Sequence, residues 1–397
     1  MRRHLPLHAV LAALAVALVA ALAAPDDAAA IPAFARKYQI SCNTCHAPVP
    51  RLKPYGEEFA ARGFRMEDPA QEPPRATYDV GDPLLKLVRD LPLAVRLDFW
   101  ASAKDSEGSD TRADFEWPWS FKLLSGGPIS EKISYYFYAI LEKGESIKLE
   151  DTFLAFSSPF GLPIDVTIGQ FQVSDPLFKR ELRLERNDYA MYKARVGYAP
   201  TDLTYDRGIV IGWDAPGEVE VVAQLVNGNG IDAAEHGDFD DDKLKNTALR
   251  LARVFGPVRV GAFAYWGKEE MTRGGPTSKI TYLGPDLVLD MGDKWQLNAS
   301  WLARRDDDPF FTGFAGQEVE TDGGFAELHF FPLGQDGRWA LTALYNTVDS
   351  DLPEVRQENL SLTLNYLLAR NVKVSGELYH DLERDDDRLS LGFVAAF

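Results

Sequence analysis

The chain has only two cysteines in 397 residues, which excludes a scaffold held by several disulfides and leaves too few thiols for a cysteine-rich zinc site. Histidine is scarce too, at six. Basic charge is in deficit: 42 Lys and Arg stand against 60 Asp and Glu, a formal net charge of −18. A nucleic-acid partner is excluded on that balance. After residue 90 nothing in the sequence reads as a long helix, so neither a helical bundle nor a helical membrane domain accounts for most of the chain.

The first thirty residues read as a secretory signal. Arg2 and Arg3 give a basic start, Leu11 to Ala24 is an apolar run, and Ala28-Ala29-Ala30 supplies the small residues of a cleavage site. The run is short for a membrane anchor. The arginine pair lacks the rest of a twin-arginine pattern, so ordinary Sec export is expected, with the mature chain beginning near Ile31.

Residues 31 to 66 read as compact and helical. Pro32 suits a first helical position ahead of Ala33 to Tyr38, and a second helix is expected from Pro54 to a stop at Gly63. Glu67 to Asp82, with Pro69, Pro73, Pro74 and Gly81, has a linker's composition. The expected division is a signal at 1–30, a small helical segment with its linker at 31–82, and a β domain at 83–397.

From about Leu91 to Phe397 the hydrophobic period becomes two. Trp295, Leu297, Ala299 and Trp301 alternate with Gln296, Asn298 and Ser300, and Leu360, Leu362, Leu364 and Tyr366 alternate with Ser361, Thr363 and Asn365. About sixteen such strands, joined alternately by tight turns and longer acidic loops, fit a closed antiparallel transmembrane β-barrel. Closure satisfies every backbone group inside lipid, with the apolar face outward and the polar face toward the lumen. Tyr135 to Tyr138, Trp117, Trp119, Phe330 and Phe331 are expected in the interfacial aromatic girdles. Such a chain belongs in a bacterial outer membrane, against a lipid bilayer. The alternative is a soluble periplasmic two-sheet protein, whose strands also alternate.

The two cysteines stand in Cys42-Asn43-Thr44-Cys45-His46. Two thiols three positions apart can add to the two vinyl groups of one porphyrin, and the next residue aims its imidazole at the iron. The motif predicts one covalently bound haem c, with His46 as an iron ligand. A disulfide is the competing reading, and a thioredoxin-like motif would need an α/β surrounding that is missing. Met66 is the nearest soft candidate for the sixth ligand, and a Met/His pair would raise the potential. Its alternatives are a packing role for Met66, an open iron, or the distant His236, His329 and His380. The segment is too small to enclose a haem alone, so Phe34, Tyr38, Leu52, Tyr55, Phe59 and Phe64 are expected against the porphyrin. The barrel should supply the remaining wall, making this segment a lumen plug or a cap on the periplasmic mouth.

Through Phe34-Ala35-Arg36, Cys42 to His46, Pro50-Arg51-Leu52 and Tyr55-Gly56 the chain resembles the fused monohaem c-type cytochrome-porin family, whose members include outer-membrane iron(II) oxidases. Stretches at Gly169 to Arg183, Leu203 to Gly208 and Asn227 to Gly230 resemble related exported haem-barrel proteins. The resemblance implies single-electron transfer across the outer membrane between periplasmic carriers, such as soluble cytochromes, and an extracellular donor or acceptor such as iron(II). It would make the protein an electron carrier with iron(II)-oxidase activity. The rival functions are a solute porin with a haem-bearing plug, and a haem-based small-molecule sensor or enzyme. Two charged features complete the reading. Lys179, Arg180, Arg183 and Arg186 could reach haem propionates or pair internally with Glu181 and Glu185. The acidic runs Asp240 to Asp242, Asp306 to Asp308 and Asp385 to Asp387 could gather cations or be solvated loops.

Overall fold

The computed structural model describes residues 33–397, apart from 69–70, 72–76, 79, 86, 90, 107–110, 233–236, 241, 272–273 and 315. The expected signal at 1–30 lies outside the described residues, as do Pro32, the linker prolines Pro69, Pro73 and Pro74, and His236 and Asp241.

Three short helices come first: α1 (Ala33–Tyr38), α2 (Cys42–Cys45) and α3 (Pro54–Ala61). Pro54 occupies the first turn of α3, where its missing N–H has no helical partner to lose. A two-stranded pairing of Thr77–Tyr78 with Leu87–Val88 leads to the barrel. Its strands are β1 (Leu93–Asp105), β2 (Arg112–Pro128), β3 (Ile133–Glu142), β4 (Lys148–Ser157), β5 (Asp165–Gln172), β6 (Tyr205–Ala215), β7 (Val219–Val226) and β8 (Asn246–Phe255). They continue with β9 (Val258–Glu270), β10 (Thr277–Met291), β11 (Trp295–Asp306), β12 (Val319–Phe330), β13 (Trp339–Ser350), β14 (Gln357–Ala369), β15 (Val372–Asp381) and β16 (Asp386–Ala396). Every strand pairs antiparallel with its sequence neighbours, and β16 closes on β1 from Ala396↔Arg96 to Asp387↔Asp105. Reciprocal backbone hydrogen bonds between Val95 and Phe397, at 2.7 and 2.8 Å, seal the seam.

This is a sixteen-stranded transmembrane barrel of the outer membrane. Its exterior carries Leu360, Leu362 and Leu364 on β14, all exposed, while Ser361, Thr363 and Asn365 between them are buried toward the lumen. An exposed apolar row on a closed sheet has lipid as its partner. Short turns such as 256–257 and 370–371 crowd one mouth together with both chain ends of the barrel, and longer connections such as 173–204 and 227–245 crowd the other. That asymmetry marks the first mouth as periplasmic.

The expected girdle residues divide by the same period of two. Tyr135 and Phe137 face outward, but Tyr136 stacks inward on Phe64 and Tyr138 is 3% exposed. Phe330 stacks on Trp295 outside, whereas Phe331 is fully buried. Consecutive strand residues cannot share a face.

The lumen is also less polar than strand alternation implies. The connection 173–204, with the single-turn helix α4 (Ala190–Lys193), folds into the barrel. Its Val173, Leu177, Phe178, Tyr189, Met191 and Tyr192 form one buried cluster with the inward Phe263, Tyr265, Tyr282, Leu302, Phe325 and Leu344. Polar anchors surround that cluster. Tyr189 Oη donates to Glu327 at 3.1 Å, Arg304 Nη1 donates to the Ala194 carbonyl at 2.7 Å, and Arg304 pairs with Asp306 at 2.7 Å. Fully buried charges of this kind persist only when paired and hydrogen-bonded.

Candidate haem site in the barrel mouth

Cys42 and Cys45 begin and end the single turn α2, and both are free, partly buried thiols. His46 follows as the C-cap, its N–H donating to the Cys42 carbonyl at 2.9 Å. The chain then doubles back: Lys53 N–H donates to the Cys45 carbonyl at 2.8 Å, and His46 and Leu52 form an isolated antiparallel bridge. Burial raises the pKa of both thiols and lowers that of His46, favouring the neutral imidazole. The His46 Nδ1–H points at the carbonyls of Pro50, at 3.0 Å, and Arg51, at 3.3 Å. That leaves the Nε2 lone pair without a hydrogen-bond partner among the described residues, and a carbonyl on the far ring nitrogen fixes tautomer and orientation as iron-binding histidines require.

An apolar cluster stands in the same small segment. Tyr38, Phe59 and Met66 form its buried part, with Phe34, Ile40, Tyr55 and Phe64 packed on it. Phe34 stacks on Phe64 at 4.9 Å and meets Phe59 edge-on at 5.5 Å. Met66 therefore lies among these rings, with Tyr55 Oη donating to its sulfur at 3.8 Å. Of the six residues expected around a haem, Phe34, Tyr38, Tyr55, Phe59 and Phe64 belong to this cluster, and Leu52 lies beside Gly56. The thiols would fasten the porphyrin, His46 would ligate it, and this cluster would keep water from it.

Of the distant histidines, the two among the described residues are engaged otherwise. His329 Nε2 contacts Glu327 at 2.9 Å and its Nδ1 contacts Thr342 at 3.0 Å, while His380 pairs with Asp387 at 3.0 Å. Among the described residues no group of three or more His, Cys, Asp or Glu side chains could hold a metal ion. Asp306 pairs with Arg304, Asp308 accepts from the Thr312 and Gly313 N–H groups, and Asp240 pairs with Lys245. The basic run is also internally paired. Lys179 bonds Asp151 and Asp175, Arg180 and Arg183 share Asp188, and Arg186 meets Glu116. These partners differ from the expected Glu181 and Glu185, but the consequence is the same: the run is committed to holding the inner loop.

The segment sits in the periplasmic mouth. Its buried Arg51 donates to Gln296 on β11 and lies over Phe331 at 5.5 Å, and burial lowers the guanidinium's pKa. Lys53 and Asn43 both donate to Asp336, in the turn after β12, at 2.6 and 3.2 Å. On the opposite side Arg36 donates to the Leu93 carbonyl at 2.6 Å, Arg65 donates to Ser130, and Phe64 stacks on Tyr136 at 5.7 Å. No local pattern marks these anchors, because each joins residues far apart along the chain.

No family model and no curated protein sequence matches the chain. Among solved structures the fold is similar to the anion-selective porin from Comamonas acidovorans, at TM-score 0.56 and 12% identity, covering 78% of this chain and 99% of that one. It is similar to the outer membrane channel DcaP of Acinetobacter baumannii, at TM-score 0.55 and 11% identity, covering 78% and 97%. It is likewise similar to Salmonella typhi OmpF in complex with daunomycin, at TM-score 0.52 and 10% identity, covering 77% and 98%. Below the helical segment's seat, then, the chain is a porin-like outer-membrane barrel.

Proposed function

We propose that this porin-like barrel carries a covalently bound haem c in its periplasmic mouth and passes single electrons between a periplasmic carrier and an extracellular donor, in the manner of the cytochrome-porin family it resembles. The observation that carries the reading is His46, one residue after the paired thiols of α2, with Nδ1 held by the Pro50 carbonyl and an aromatic cluster containing Met66 in the same small segment. A haem c alternates between iron(II) and iron(III), taking up and releasing one electron. The protein's own part is to fasten, ligate and desolvate that group, and to seat it where a soluble periplasmic cytochrome can approach. The apolar filling of the lumen by the inner loop supports a conduit over an open pore. Iron(II) is the proposed outer donor.

A second reading, a solute porin whose mouth carries a haem-bearing plug, is favoured by the fold's likeness to channels. Liposomes containing the matured protein separate the two. With iron(II) outside and an electron-accepting dye trapped inside, dye reduction that is lost in Cys42→Ala and His46→Ala supports the conduit. Free passage of sugars without dye reduction overturns it in favour of the porin.

A further inference from the structure

The outer rim of the barrel has a notch beside β2. Strand β3 ends at Glu142, opposite Ser120, but β2 continues to Arg112 paired only with β1. The β3-facing edge of residues 112–118 therefore has no strand partner among the described residues. The last tie across the gap is the Lys143 N–H to the Trp119 carbonyl, at 2.8 Å. A cavity of about 590 Å³ occupies the notch, a volume suited to a small organic molecule. Its apolar wall is Phe115 and Trp117, whose rings pair at 4.7 Å and are 73% and 59% exposed. Its inner wall is Trp119 with Arg186 of the inner loop.

The charges in this cavity are unequally committed. Arg186 is bound to Glu116 and to Ser390, and Glu116 also accepts from Ser102 at 2.6 Å and lies 4.0 Å from Lys104. Arg388 donates through Nη2 to Glu377 at 3.0 Å, yet its buried Nε–H has no partner among the described residues. Lys143 has no carboxylate partner among the described residues. It stands over Trp119 at 4.4 Å, while the Arg186 guanidinium stands over the same ring at 4.2 Å. One acid, the exposed Asp114 at the rim, is also outside any ion pair among the described residues. Of the two cations on this indole, Arg186 has its counter-ion in Glu116, and Lys143 is left as the one without a carboxylate partner among the described residues, so an anion entering the cavity would meet it first.

We propose that the notch binds a small amphipathic organic anion, its charged group on Lys143 and its apolar body against Trp117 and Phe115. The chemistry is shared by a free aromatic carboxylate and by the headgroup and first methylenes of an anionic outer-leaflet lipid. The site is independent of the haem and of the direction of electron flow.

Calorimetric titration of the detergent-purified full chain with naphthalene-2-carboxylate, its neutral carboxamide and acetate tests this. The carboxylate should bind saturably, the carboxamide about ten-fold more weakly, and acetate not at all. Lys143→Gln should weaken the carboxylate about ten-fold and Trp117→Ala should weaken carboxylate and carboxamide alike, whereas Lys279→Gln, on another part of the rim, should leave binding unchanged. Heat-modified gel migration verifies that each variant remains a folded barrel. Equal affinity for carboxylate and carboxamide, or an unchanged affinity in a folded Lys143→Gln barrel, overturns the proposal. Repeating the titration in nanodiscs identifies the source: competition by lipopolysaccharide assigns the natural ligand to the leaflet, and its absence assigns it to the medium.

Discussion

Gly56 is where the plug is tightest. A Cβ at this position would stand 2.4 Å from the Cys45 carbonyl oxygen and 3.0 Å from Leu52 Cδ2. The first of these is a backbone atom that already accepts from Lys53 N–H, so it cannot turn aside. Gly56→Ala must therefore push α3 off the Cys42–Cys45 turn. Overpacking of this kind costs about 1–3 kcal/mol, and the better helix propensity of alanine returns about 1 kcal/mol. A Cβ at 2.4 Å from a backbone oxygen belongs at the upper end of that range, so the net loss is about 2 kcal/mol; it falls on the plug alone and should raise its local opening roughly 30-fold. Amide hydrogen exchange read by mass spectrometry on peptides covering residues 43–53 reports that opening through the His46 and Lys53 amides. Ladder amides of β15 and β16 serve as the internal reference. Faster exchange in the plug with unchanged barrel protection is the expected result. Unchanged or slower exchange at His46 and Lys53 would refute the packing argument, because it would mean that α3 does not bear on the Cys45 carbonyl.

Three further outcomes follow from the same geometry. The Lys53 hydrogen bond lowers the pKa of Asp336 below the ordinary 3.8, so this latch is fully present above that value and is lost as pH falls through the depressed one. Protease cleavage of the plug should therefore rise on acidification below pH 4, and Asp336→Asn should raise cleavage at neutral pH and flatten the profile. Arg304→Met leaves Asp306 buried without its partner and should destabilise the barrel by about 3–5 kcal/mol, read as a lower heat-modification temperature, with Arg304→Met/Asp306→Leu recovering the part due to the unpaired carboxylate but not the part due to the Ala194 and Thr201 carbonyls that lose their donor. Met66→Ala should lower the redox potential and alter the visible spectrum of the matured protein if sulfur is the sixth ligand, and an unchanged spectrum would leave Met66 a packing residue only.

The strands were legible because lipid on one side and lumen on the other impose strict alternation, as in Trp295 to Trp301. The same rule corrects the girdle: Tyr136 and Phe331 could have been assigned inward by counting from Tyr135 and Phe330. The pattern behind the proposed haem could be read without the fold because it is local, with all of Cys42, Cys45 and His46 inside five positions. The inner loop was not, since Val173, Leu177, Phe178, Met191 and Tyr192 follow no period that separates a lumen filling from an ordinary connection. Nor were the anchors of the plug, because Lys53 finds Asp336 and Arg51 finds Gln296 only once the barrel has closed. The rim notch draws on β1, β2, β3, the inner loop and β16 together, and no single stretch of sequence carries it.

The most direct test is the intact mass and visible spectrum of the protein extracted from outer membranes of cells with working haem-attachment machinery. The expected result is the mature polypeptide plus one haem, with a reducible c-type absorption that vanishes in Cys42→Ala/Cys45→Ala. A bare polypeptide mass with no visible absorption would contradict it and leave a porin-like barrel whose mouth holds a helical plug for another purpose.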